Sequence, residues 1–275
     1  MAERNRSDVV DRHPSAHPGR GHSARLLRAG AVAAVVLGAV LLTFLGYLLY
    51  GTGLTFQAEQ RAAANALLER WERPPPARTQ VAVGEGIVRL YAPRLGPDFD
   101  YTVVVGTTAT ALARGPGQYP GSAQPGQPGN FAVAGHRLTH GAPFASVDQL
   151  QSCDALVVET AATWFVYRVL PLRDEASGWS SGKGAQARCR GVSPLPEPYR
   201  DVPGRLVVTP DAVSTVAPVP GLRPGEEIAP AARAQLITLT TCHPVYSARE
   251  RLVVHGVLVA QYPRGTGRPP ELTEG

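Results

Sequence analysis

Cysteine is nearly absent from this chain: Cys153, Cys189 and Cys242 are the only three in 275 residues. No internal repeat is visible, and no cluster of carboxylates that would demand calcium. Beyond the first 28 residues there is also no basic stripe interleaved with aromatics. The net charge of +5 comes largely from Arg4, Arg6, Arg12, Arg20, Arg25 and Arg28, against Glu3, Asp8 and Asp11. The remainder is about balanced, which excludes a nucleic-acid partner. The 29 glycines and 26 prolines are a high share, yet below the roughly 25–30 % expected of a wholly disordered chain. A chain of this length can bury a core.

What is present begins with Ala29 to Tyr50, 22 residues without a charge. As a helix this run would be about 33 Å long, enough for a hydrocarbon core of about 30 Å. A cleaved signal peptide normally has an apolar region of only about 7–15 residues, and no clear A-x-A site follows. The run therefore reads as a retained transmembrane helix in contact with the lipid bilayer. The arginines before it put residues 1–28, a basic tail, in the cytoplasm and the rest of the chain outside.

Residues 54–72, "LTFQAEQRAAANALLERWE", have helical composition and end at Pro74-Pro75-Pro76. They read either as a stalk within a linker at 51–78 or as a helix packed on the following domain. From Val81 the texture changes to short β-type runs divided by Gly and Pro. Eight strands are expected: 86–93, 101–106, 130–136, 155–160, 163–170, 204–210, 235–242 and 250–261. A short helix is expected at 142–150. Many short strands of this kind indicate a mainly β fold, a barrel or sandwich. Residues 114–130 read as a loop crossing the surface, 173–203 as an insertion, and 263–275 as a polar tail.

The cysteines differ in setting. Cys153 falls in a turn and Cys189 in the insertion. Outside the membrane the two could pair in a bridge enclosing 37 residues, or remain two reduced thiols. Cys242 ends the run "QLITLTTC" (235–242), just before His243 and Pro244. In an extended strand it shares a face with Leu236, Thr238 and Thr240, at the strand mouth. A thiolate nucleophile needs a base or a cation nearby. His13, His17 and His22 lie across the membrane, His243 points to the opposite face, and His255 sits inside a β-type run as a structural residue. His136 and His140 remain, in "NFAVAGHRLTHGAPF" (130–144), with His136 at a second strand mouth.

"GPGQYPGSAQPGQPGNFAVAGHRLTHGAPF" (115–144) and "LTTCHPVYSARERLVVHG" (239–256) resemble the two signature regions of the sortases. These are membrane-anchored cysteine transpeptidases of Gram-positive cell surfaces. "GHRLTHGAPF" with "TLTTCHP" is most similar to the class E branch. The resemblance covers roughly 79–262 and implies a sortase-type β-barrel of eight strands with short helices. It makes Cys242 the nucleophile and His136 the catalytic histidine. Arg251 stands at the family's cysteine, eight residues, arginine spacing, and Arg249 is the near miss. Tyr119 and Thr241 become the substrate-binding candidates. The departure from the family is the insertion at 173–203, which leaves open whether the groove is covered.

The chemistry implied is cleavage of a surface protein's C-terminal sorting signal after Thr. The signal would be of LAxTG rather than LPxTG type, and the acceptor a peptidoglycan amine. No cofactor and no metal is expected. An unperturbed thiol (about 8.5) and imidazole (about 6.5) form the ion pair only about 1 % of the time. Two rivals come from other classes. An L,D-transpeptidase would carry histidine and glycine before the cysteine, where Thr240 and Thr241 stand. A non-catalytic anchored module would not need Cys242, His136 and Arg251 together.

Overall fold

A computed structural model describes residues 20–73, 81–222 and 225–274. The basic tail to residue 19 and the proline run at 74–80 lie outside the described residues. The chain forms two units, Met1–Tyr47 and Leu48–Gly275. The first contains helix α1 (Arg20–Gly46). Its span Arg25–Gly46 has mean hydropathy 2.3 and is the one described helix long and apolar enough to cross a membrane.

The second unit opens with helix α2 (Thr52–Glu72), which ends as Arg73 turns extended, the conformation a following proline favours. α2 is not a free stalk. Phe56, Ala63 and Leu67 are buried, and Gln60 bonds both the N–H and the carbonyl of Thr102. Arg70 donates to the Gly86 carbonyl at 2.9 Å. Its apolar stripe thus covers one wall of the β structure.

That structure comprises β1 (Gly86–Tyr91), β2 (Asp100–Val105), a short helix α3 (Ala109–Leu112), β3 (Gly117–Gln118), β4 (Gly129–Ala134), β5 (Ala155–Glu159), β6 (Thr163–Val169), β7 (Arg205–Val208), β8 (Gln235–His243) and β9 (Glu250–Pro263). The order β6-β5-β1-β2-β3-β4-β8-β9 closes on itself because β9 also pairs with β6. These eight strands form the expected closed barrel, which abolishes exposed sheet edges. All eight expected strands occur, with a twist in their use. β7 pairs with the first half of β9, beside the ring, and the ring is completed by β3, which the sequence reading took for surface loop. Glycine explains the difference. A Cβ on Gly117 would lie 2.1 Å from the Gly106 carbonyl, so only glycine lets the two backbones pair there. The helix expected at 142–150 is only a 3-10 turn, Val147–Gln149.

The core lies inside the ring, with Leu90, Val103, Phe131, Val133, Leu156, Tyr167, Ile237, Leu239 and Val254 all buried. Alternation then sends Asn130, Ala132 and Ala134 of β4, and Thr238, Thr240 and Cys242 of β8, to the outer face. The insertion covers part of the outside. Cys153 and Cys189 form a disulfide, and Trp179 and Val192 pack around it. Trp179 Nε1 donates to the Val192 carbonyl at 2.9 Å. Tyr199 lies against Val219 and Leu236. The segment expected as a polar tail is docked too: Arg168 grips Glu274 with two bonds of 2.8 and 2.9 Å, and Leu272 packs on the cluster holding Trp164.

Candidate functional site

Three adjacent strands bring the candidate residues together. β8 and β9 are antiparallel, and Cys242 is the direct cross-strand partner of Arg251. Directly opposed side chains on one face have Cβ atoms about 4.5–5.5 Å apart. β4 runs parallel to β8 with Ala134 opposite Thr240. Gly135 continues that pairing by donating its N–H to the Thr240 carbonyl at 3.0 Å. His136 follows Gly135, two residues past the end of β4, at the rim where Cys242 stands near the end of β8. Cys242 and Arg251 therefore sit side by side in one row at this rim, and His136 lies on the segment that leaves β4 at the same rim. Arg249, the near miss, lies in the β8–β9 connection outside both strands.

Cys242 is the one free cysteine and is half-buried. His136 is half-buried as well, and its ring stacks on that of His140 with centroids 4.7 Å apart and planes 22° apart. Burial first, and the neighbouring His140 second, hold the His136 imidazole below its ordinary value, so the neutral form is favoured. Arg251 donates to the carbonyls of Ala248 and Glu250, each at 2.9 Å, which fixes its guanidinium at the turn before β9.

The two substrate-binding candidates part company. Tyr119 has its hydroxyl 2.9 Å from Thr240 Oγ1, on the same face as Cys242. Thr241 points the other way. It is 3 % exposed, and its hydroxyl donates to the Gly135 carbonyl at 2.8 Å. The side chain of Thr241 stitches β8 to the His136 rim and does not line the groove, as the alternation of a strand requires.

Below the row, His255 is buried beside Thr238, at 2.8 Å. Thr238 already donates its proton to Asn130 Oδ1, so His255 Nδ1 must be the donor in that pair. His255 is the structural histidine that its position within a β-type run suggested.

Arg137 was missed by the sequence reading. It is almost fully buried, pairs with Asp148 at 3.0 Å, and places Nη1 3.0 Å from His243 Nδ1 and 3.3 Å from the Cys242 carbonyl. It ties the end of the cysteine strand to the loop that follows the histidine. The only sequence signal was a charged residue immediately after His136 in an otherwise apolar run.

Comparison with known proteins identifies relatives of this chain. The Sortase domain family matches residues 90–259. The chain is 30 % identical to Sortase SrtE1 of Streptomyces coelicolor over 86 % of its own length, and spans 58 % of that relative. It is 27 % identical to Sortase SrtE2 of the same organism, covering 92 % of each. Among solved structures it resembles the SrtF sortase from Corynebacterium diphtheriae, with TM-score 0.61 and 37 % identity over 74 % of this chain and 99 % of that one. It also resembles Sortase E1 from Streptomyces coelicolor, solved with a tripeptide in its active site. There the TM-score is 0.51 and the identity 30 %, over 70 % of this chain and 99 % of that one. A closed barrel, matched over residues 90–259 by the sortase domain, makes this chain a member of the sortase family.

Proposed function

We propose that this sortase is a membrane-anchored cysteine transpeptidase that joins surface proteins to a cell-wall amine, with Cys242, His136 and Arg251 as its catalytic residues. The observation that carries this reading is the cross-strand pairing of Cys242 with Arg251, with His136 just past the end of the neighbouring β4.

The Cys242 thiolate attacks the carbonyl carbon of the signal's threonine, forming a C–S bond and an oxyanion. Arg251 lies opposite, where its planar donors hold the peptide backbone and the developing charge. The C–N bond then breaks, and His136 in its protonated form gives its proton to the departing amine. The thioester keeps the acyl group activated. A peptidoglycan amine attacks it, His136 takes up the proton that this amine loses, and the thiolate leaves. Burial and His140 favour the neutral imidazole of His136, so the protonated form that gives up the proton is the scarcer one.

Tyr119 supports the LAxTG preference. Its oxygen stands beside Thr240, two residues before the nucleophile on the same face. A phenol oxygen there can accept an N–H from an alanine in the second position, a donor that proline lacks. Helix α1 is the anchor, and the arginines before it favour an outside location for the barrel.

The test is turnover of LAxTG and LPxTG peptides by wild type and Cys242→Ala, with and without an amine acceptor. We expect amide product only with acceptor and wild type, and faster turnover of LAxTG. Equal rates, or preference for proline, would remove the LAxTG assignment. An active Cys242→Ala would remove the mechanism.

A further inference from the structure

The loop that carries His136 has an unusual backbone. His140, Gly141 and Ala142 follow one another with φ of +50°, +68° and +46°. Two of these are not glycine, and such conformations persist only where the surroundings enforce them. The enforcement comes from two aromatic walls. On the barrel side Phe144 lies under Gly135, where an added Cβ would be 2.5 Å from the ring. Phe144 also closes the loop by donating its N–H to the His136 carbonyl at 2.9 Å. On the other side is Phe56, from the first turns of α2. A Cβ on Gly141 would lie 2.3 Å from Phe56 Cδ1, so ring and backbone are in direct contact.

The two walls are joined. Phe56 packs on Tyr101 with centroids 6.1 Å apart, Tyr101 meets Phe99 edge-on at 5.1 Å, and Phe99 stacks on Phe144 at 6.3 Å. Phe56 is 3 % exposed, although it comes from a helix outside the matched sortase domain. The turn it supports holds His140, and His140 holds the face of His136.

We infer that Phe56 is a positioning residue for His136, acting through the Gly141 turn and the stacked His140 ring. Helix α2 is then a working part of the site, and not only a connector. The inference rests on the proposed role of His136. Removing the ring takes one wall from a backbone that needs both. As the turn relaxes toward ordinary φ, the His140 ring leaves His136, which then samples several rotamers. Proton transfer depends on placement within a fraction of an ångström, and a misplacement of about 1 Å can cost about 10²-fold. Peptide binding, which uses the outer face of β8 and β9, is touched far less.

The experiment uses the full chain in detergent micelles. Phe56→Ala and Gly141→Ala disturb the contact from its two sides. Phe56→Leu keeps most of the volume. Arg70→Ala loosens α2 at its other end, where Arg70 bonds Gly86. Turnover of an LAxTG peptide gives kcat and KM, and the ring proton signals of His136 and His140 report the stack directly. We expect kcat about tenfold lower for Phe56→Ala and Gly141→Ala, with KM within about twofold and both histidine signals moved. Phe56→Leu should recover most of kcat, and Arg70→Ala should keep wild-type kcat and histidine signals. If Phe56→Ala does not fold, Gly141→Ala against Phe56→Leu decides the same question. Wild-type kcat and unmoved histidine signals in a folded Phe56→Ala or Gly141→Ala would overturn the inference. An equal kcat loss in Arg70→Ala would do so too, by reducing Phe56 to general stability. Full activity of His136→Ala would instead overturn the proposed function.

Discussion

His255 offers a quantitative test of the outer-face packing beneath the site. It is 1 % exposed, and burial pushes its imidazole down from 6.5 to about 3. Its Nδ1 donates to Thr238, which donates to Asn130, and Asn130 Nδ2 donates to the Ala217 carbonyl at 3.1 Å. The neutral ring therefore closes a relay across β9, β8 and β4 to the loop above them. A group with a depressed folded value contributes stability above its unfolded value, and that contribution is lost as pH falls. Between pH 6.5 and 3 the unfolded chain takes up a proton that the folded chain refuses, at about 1.4 kcal/mol per pH unit. From pH 7.5 to 5.0 this amounts to about 2 kcal/mol, or about 4–8 °C in Tm for a unit of this size. His255→Gln can still donate to Thr238 but does not titrate in this range. Thermal unfolding of both proteins at the two pH values separates this residue from all other titrating groups. We expect wild type to lose about 2 kcal/mol more than His255→Gln. Parallel losses, within about 0.5 kcal/mol, would refute a neutral buried His255.

Arg137→Ala leaves the Cys242 carbonyl and Asp148 without their cation, and should cost about 2–3 kcal/mol of stability by chemical denaturation together with a fall in kcat. Arg137→Lys should restore little of either, because one ammonium cannot reproduce the forked contacts. His140→Ala removes a like charge from the face of His136, so the acid limb of kcat/KM should move up toward pH 6.5, as read from a pH–rate profile. Replacing Cys153 and Cys189 by Ser opens a loop with a sequence separation of 36 and should cost about 3–4 kcal/mol in unfolding experiments. Intact mass after alkylation without reduction should show one label, on Cys242.

Much of the site was legible because its signals are local. Alternation along "QLITLTTC" set Cys242 on one face with Thr238 and Thr240, and family spacing selected Arg251 over Arg249. The structure adds that the Cys242–Arg251 pairing is a direct cross-strand register. Thr241, expected to bind substrate, instead turns its hydroxyl inward to Gly135, because neighbours on a strand point apart. Arg137 was hidden because it contacts the Cys242 carbonyl, 105 residues away, and Asp148 only through the fold of the loop after His136. Composition misled in the regions rich in Gly and Pro. Residues 114–130 were read as surface, yet Gly117 pairs in the ring, and a Cβ on Gly126 would be 2.0 Å from Phe165.

The sequence by itself determined the apolar helix and the eight β-type runs, and it offered the candidate residues for chemistry, because hydropathy, alternation and spacing are properties of neighbouring residues. The open choice between a bridge and two free thiols at Cys153 and Cys189 was decided by the fold, which packs the insertion around the bond. The fold likewise decided that α2 packs on the barrel, that the polar C-terminal segment is docked, and that two-residue β3 takes a place in the ring. Apart from β3, whose partners Val104 and Ala134 are near in sequence, each of these depends on surfaces meeting across more than thirty residues of chain. The favourable energy of such a contact comes from apolar area and hydrogen bonds shared between remote segments, and no local pattern in either segment records its partner.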